Sequence, residues 1–392
     1  MAADAVSRRA RRFLAASAGY LVAWQAAALA GLPRRSCVVL AVYGFVLHAV
    51  FGKAYSLVPS YFDRTLATPA APAIHLPLAA LAAGCLAVEP LAGVPDWVGV
   101  AGAVLWAGGV AVFVGALAWT LRDNPTGRET GTGGPNAHRE SVDRYANAFV
   151  PVALAYLLAG SYATLATRVG GPRPMALGAA PTAHLLAAGV AALLVFAVGF
   201  RLFPRFLVAA PPRALVAVVL PAGALGPGVL AWHFYGGAWF RVGAVLEAVA
   251  VIGFGAAYAA LFARSERRRV GLYGPLAGGV CGLAGVGLGV HFAFAGVAGG
   301  LTAVHFRLNA LGFLGLTIVG ATYQFYPPTV GSFPGASDRT ALASIGLVGA
   351  GLAAELSGAI AGSTGAVTAG RASALAGALL FASLIGGVFA ER

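Results

Sequence analysis

Twelve apolar stretches follow one another along the chain, each near the ~20 residues that a helix needs to cross a bilayer. They lie at about 13–32, 36–59, 75–95, 97–121, 147–167, 180–203, 212–232, 240–263, 273–296, 302–326, 340–363 and 369–390. A chain built this way satisfies its backbone in lipid by forming helices. The third and eleventh stretches are interrupted, by Pro77 and Glu89 and by Glu355. The balance of 59% hydrophobic to 10% charged residues excludes a soluble domain. The formal charge of +13 does not point to nucleic acid, because the basic residues are spread over the loops. Cys37, Cys85 and Cys281 stand alone in apolar segments, so no disulfide framework, CxxC metal site or haem-attachment motif is present.

Three of the stretches share a frame. When Pro59, Pro204 and Pro327 are superposed, Gly44, Gly189 and Gly312 coincide, each fifteen residues upstream. Tyr55, Phe200 and Tyr323 coincide as well. The shared stretches are the second, sixth and tenth, so the chain divides into three four-helix units, about 1–121, 147–263 and 273–390. The expected fold is an all-α polytopic membrane protein of about twelve transmembrane helices with pseudo-threefold symmetry, in one domain spanning 1–392. The polar segment 122–146 reads as a flexible cytoplasmic connector, from its Gly, Pro, Thr and Asn content.

Placing the N-terminus inside puts eighteen of the twenty-six Lys and Arg residues on the cytoplasmic side and six outside, with Lys53 and Arg307 within spans. That bias gives an integral cell-membrane protein with both termini cytoplasmic. Arg34 and Arg35 run against it. Lys53 reads as a snorkelling cation. Tyr55, Tyr323, Trp232, Tyr235 and Trp239 read as interfacial aromatics.

In this topology the intramembrane ionisable groups gather toward the outer side. His305 and Arg307 lie near the outer end of the tenth stretch, His184 of the sixth and His291 of the ninth, with Glu247 and Glu355 somewhat deeper. His48 falls near the middle of the second. Such groups are costly in lipid and should face the bundle interior and pair. The histidines are candidate haem or metal ligands, His305 and His184 first among them, or helix–helix hydrogen-bonding groups. Arg307 either contacts a haem propionate or forms a buried ion pair with Glu247 or Glu355. His75 and His138 fall at the cytoplasmic side and read as solvated or interfacial.

The span-10 sequence HFRLNALGFLGLTIVGATYQFYP (305–327) resembles the HFH helix of the haem–copper oxidase catalytic subunit, in length from first histidine to closing proline as well as in motif. LNALGF (308–313) is similar to the HxHLNLLGF of the NnrS-like relatives, and GKAYSLVP (52–59) resembles the family's GFGNWLVP. The resemblance implies that His305 binds a haem at a dioxygen or nitric oxide site. Arg307 occupies the second histidine's position, and a guanidinium offers iron no lone pair. The family's copper-holding His-His pair is absent from span 7, so copper of that kind is not expected. The implied function is a haem-binding membrane protein in nitric oxide or oxygen-related respiratory metabolism, with a redox or respiratory partner protein. The alternatives are a non-catalytic relic of the fold, serving assembly or sensing, and a proton- or ion-coupled transporter.

Overall fold

The computed structural model describes residues 2–172, 178–234 and 236–391, with side chains from Ser7 onward. Its regular structure is entirely helical. Twelve long helices follow in order: α1 (Ala2–Leu29), α2 (Arg34–Tyr61), α3 (Ala71–Val88), α4 (Asp96–Leu121), α5 (Val150–Val169), α6 (Ala179–Leu207), α7 (Arg213–Trp232), α8 (Gly237–Arg264), α9 (Tyr273–Ala295), α10 (299–325), α11 (Asp338–Ala361) and α12 (Thr364–Ala390). Among the described residues, eleven helices are long and apolar enough to cross a membrane, and α1 is the twelfth long one. Large apolar side chains such as Trp97, Leu158 and Ile360 are exposed, as a lipid-facing surface requires. Arg173 and Tyr235 lie outside the described residues.

The three helices that share the glycine–proline frame form the centre. Their apolar windows are 78%, 78% and 72% buried, against 28–50% for the other spans of that kind. Each contains one π-helical segment: Leu40–Val46 in α2, Leu185–Ala192 in α6 and Leu308–Gly315 in α10. All three begin nineteen residues before their proline, and the glycine is the fifth residue of each. The three π segments contact one another.

The glycines are needed because the first helix of each unit lies directly on them. A Cβ on Gly44 would stand 2.6 Å from the Tyr20 ring, and one on Gly189 2.6 Å from the Tyr156 ring. Gly312 faces Cys281 in the same way. The two tyrosines then reach onward to the third helix of their unit: Tyr20 donates to the Ala80 carbonyl at 2.6 Å and Tyr156 to the Ala224 carbonyl at 2.5 Å.

Termination repeats too. Asp63 and Val208 are the non-glycine residues with positive φ among those described, and each lies four residues beyond its proline. The next N–H turns back to the proline carbonyl, from Arg64 to Pro59 at 2.8 Å and from Ala209 to Pro204 at 3.2 Å. In each unit the third and fourth helices pair as a hairpin, α3 with α4, α7 with α8 and α11 with α12. The ends of α2, α6 and α10 that carry the prolines are called the proline end below, and the opposite side the histidine end.

Several sequence expectations are corrected. Segment 122–146 is a docked element rather than a free connector, with a 3₁₀ turn (Gly134–Arg139) and a short helix (Glu140–Asn147). Arg201 of α6, 2% exposed, donates to the Tyr61 carbonyl at 2.5 Å, to Asn147 Oδ1 at 2.6 Å and to the Thr130 carbonyl at 3.0 Å. Asp143, 1% exposed, pairs with Arg205 at 2.5 Å and Arg201 at 3.4 Å. Composition missed this because the anchors are single polar residues whose partners lie 54–140 positions away. Glu89 does not interrupt α3, which ends at Val88. Its carboxylate instead pairs with Arg35 and Arg168, both at 3.2 Å. Tyr55 and Tyr323 are buried rather than interfacial, each 1% exposed, while Trp232 and Trp239 are exposed as expected.

Candidate functional site

The histidine end brings together two of the four candidate histidines. His305 on α10 and His184 on α6 face each other with ring centroids 6.3 Å apart and planes 19° from parallel. His305 Nδ1 lies 2.8 Å from the Gly285 carbonyl of α9, and His184 Nδ1 lies 3.1 Å from the Ala180 carbonyl one turn back. A carbonyl accepts only, so each Nδ1 carries the proton and each Nε2 keeps its lone pair. Among the described residues neither Nε2 has a hydrogen-bond partner. Asn309 closes the base of the site, donating to the His305 carbonyl at 2.8 Å. Phe292 packs 5.6 Å from the His305 ring and Phe234 packs 5.0 Å from that of His184. His291 is not part of the pair; it is exposed on α9 and touches Phe292.

Arg307 points the other way, into the protein. Its guanidinium grips Glu355 of α11 in a two-point ion pair, Nε to Oε2 at 2.6 Å and Nη2 to Oε1 at 2.7 Å. Nη2 also donates to the Gln25 side-chain oxygen of α1 at 2.8 Å. Arg371 of α12 approaches the same carboxylate at 3.9 Å and donates to the Ala28 carbonyl. Arg307 is 4%, Glu355 1% and Gln25 0% exposed. The ion-pair alternative for Arg307 therefore holds, with Glu355 as partner. Glu247 takes no part: its Oε1 is buried on α8 without a partner among the described residues, against Gly226 of α7. The expected charge layer is thus a Glu355 cluster and a separate lone carboxyl.

A second buried pair lies deeper in the first unit. His48, just beyond the π segment of α2, places Nδ1 2.8 Å from the Tyr43 carbonyl. His75 of α3 places Nδ1 3.1 Å from the Tyr55 hydroxyl. Both are 0% exposed, and Phe13 packs within 6.0 Å of the first ring and 5.2 Å of the second. Both Nε2 atoms are buried and unpartnered among the described residues. His75 is therefore not solvated, as its place near the start of α3 suggested. The flanking prolines, Pro72 and Pro77, hid a position that faces α2.

Among the described residues no three His, Cys, Asp or Glu side chains gather as a metal site. The chain matches no family model and no curated protein.

A cavity of about 100 Å³ lies elsewhere, between α2, α6 and α10 on the proline side of their π segments. Its wall comes from the same register of each helix. Lys53, Val198 and Ala321 line it, each six residues before its proline, as do Leu57, Leu202 and Phe325, each two before. No histidine borders it. Sequence reading singled out Lys53 but had no signal for the cavity, because the three lining faces are apolar like their surroundings.

Proposed function

We propose that this chain is a haem–copper oxidase-like membrane protein of the NnrS-like kind, whose His305–His184 pair holds one metal centre serving nitric oxide or oxygen-related respiratory chemistry. The observation that carries the reading is the state of the two imidazoles. Each has Nδ1 fixed on a carbonyl, the outer-sphere contact that orients a ligating histidine and leaves Nε2 free to bind. Ring centroids 6.3 Å apart put the two imidazoles within reach of one ion once their in-plane lone pairs turn to converge on it, at the usual bond length of about 2.0–2.1 Å.

The donor chemistry fits a transition-metal ion. A haem iron is the form the span-10 resemblance implies, and Phe234 and Phe292, 5.0 and 5.6 Å from the two imidazoles, would flank it. Bound there, the metal would supply a Lewis-acidic or redox centre. The residues around it hold the imidazole tautomers and, through the two phenylalanines, shield the pair.

The reading includes the architecture: three four-helix repeats about a pseudo-threefold axis, with both termini cytoplasmic. The common register of the π segments, of the cavity wall and of the residues after Pro59 and Pro204 supports the repeat. The charge bias supports the orientation. Its exceptions Arg34, Arg35 and Arg168 are held by Thr302 or Glu89. Arg307 favours the second reading, a non-catalytic relic, because the side chain in the second ligand's place is locked onto Glu355.

The test is metal content and a visible spectrum on protein purified from its native membrane. One metal per chain, lost in His305→Ala and in His184→Ala but kept in His291→Ala, is the expected result. A Soret band with the same dependence identifies the metal as haem iron. Protein with neither metal nor Soret band, after supplementation with both, leaves the relic reading.

A further inference from the structure

The central cavity is built from one apolar face of each of three helices, and a single residue breaks the pattern. At the position six before the proline, α6 presents Val198 and α10 presents Ala321, whereas α2 presents Lys53. Thr317 and Thr322 also line the wall, but their hydroxyls are spent on the carbonyls of Phe313 and Ile318 in their own helix, at 2.6 and 2.7 Å. The cavity thus offers apolar surface and one cation.

That cation has no carboxylate. Lys53 Nζ stands 3.7 Å from the Phe325 ring centroid and 4.4 Å from that of Tyr326, and donates to the Tyr326 hydroxyl at 3.3 Å. Among the described residues it forms no ion pair. Ring faces offset part of the cost of withdrawing an ammonium from water, but they leave its charge uncompensated. Phe325 lies two residues before Pro327, so the lysine bends toward the proline end and places its charge at that end of the apolar space.

We propose that this cavity is a binding site for a small aliphatic monocarboxylate of about four or five carbons, whose head pairs with Lys53 and whose chain occupies the apolar space between α2, α6 and α10. One cation with no further free donor suits a single negative charge better than a phosphate, which asks for several donors. An apolar cavity of this order stays dry and takes apolar guests, so the chain replaces empty space rather than ordered water. The site is independent of the histidine pair and of any metal.

The probe is a diazirine-bearing pentanoate, cross-linked to the full chain in nanodiscs and mapped by peptide mass spectrometry. Label is expected within 49–58, 194–203 and 317–325. Unlabelled pentanoate should compete it away, and pentanol of the same length should compete at least tenfold less well. Lys53→Met should lower labelling at least tenfold, Lys53→Arg should retain it, and Val198→Phe, which fills the cavity but keeps the lysine, should abolish it. Label confined to lipid-facing residues, equal competition by pentanol, or labelling unchanged in Lys53→Met or in Val198→Phe overturns the proposal. A Lys53→Met variant that has lost its fold is recognised by loss of its thermal transition, and the competition pair in wild-type protein then decides.

Discussion

Glu355 is the carboxylate on which two arginines converge, and removing its charge strands both. Glu355→Gln should lower stability by about 3–5 kcal/mol, the usual consequence of breaking one side of a buried pair, read as a fall in the thermal midpoint in detergent. Arg307→His places a second histidine two residues after His305, yet it leaves Glu355 without its two-point partner. It should destabilise to a similar degree. Tyr55→Phe leaves His75 Nδ1 without its partner and should cost about 1–3 kcal/mol, measured the same way. Legibility at this scale depended on whether partners are near in sequence. His305 was found from a motif within one helix. The partners of Arg307 could be narrowed only to two acids, and Gln25, 282 positions away, carried no signal at all. His75 was misread because its neighbours Phe13, Phe51 and Phe113 come from three other helices.

Helices were legible because a bilayer imposes both their length and their composition. Most boundaries inferred from apolar runs lie within a few residues of those observed. The π segments were not legible as such. The glycine that permits each one was, because close packing of a neighbouring helix leaves no alternative residue. Gly189→Leu should displace the Tyr156 ring and cost about 1–3 kcal/mol, as overpacking generally does; a change of that size in the thermal midpoint, absent in a substitution at exposed Gly346, checks it. The docked segment 122–147 gives a second test. Arg201→Ala removes three hydrogen bonds and an ion pair that hold it, and should open it to limited proteolysis while the helices stay intact. A smaller tie closes the chain. Ser332 donates to Glu391 through its N–H at 2.9 Å and its hydroxyl at 2.7 Å, which holds that carboxyl below its usual range. A lowered folded value means the tie is complete above the ordinary carboxylate range and is lost as pH falls through the lowered value. Amide exchange at 331–333 should rise over that acid interval in wild type, and should already be fast at neutral pH in Ser332→Ala.

For the whole molecule, the division into units was visible because each repeats a helix that has to sit at the centre. Burial of α2, α6 and α10 far beyond the other spans is the physical reason that their glycines and prolines stood out. What the repeat hides is its departures: Lys53, the His305–His184 pair and the Arg201 anchor each occur in one or two units only, and a frame shared by all three says nothing about them. The positive charges at the histidine end looked like plain loop residues in the sequence, whereas Glu89 pairs with Arg35 and Arg168 together. Glu89→Gln leaves both arginines without their acid and should lower the thermal midpoint.

The three π segments lie at one level, between the His305–His184 pair and the cavity. Each winds one residue more than α geometry would hold over the same rise, and an α-helix turns by about 100° per residue. Letting that surplus residue slip back into α geometry would rotate one half of the helix against the other, as a shaft turns in a collar. Three such collars in mutual contact make a gear train. A rearrangement at His305 or His184 that straightened one of them would swing the wall around Lys53 in the same motion.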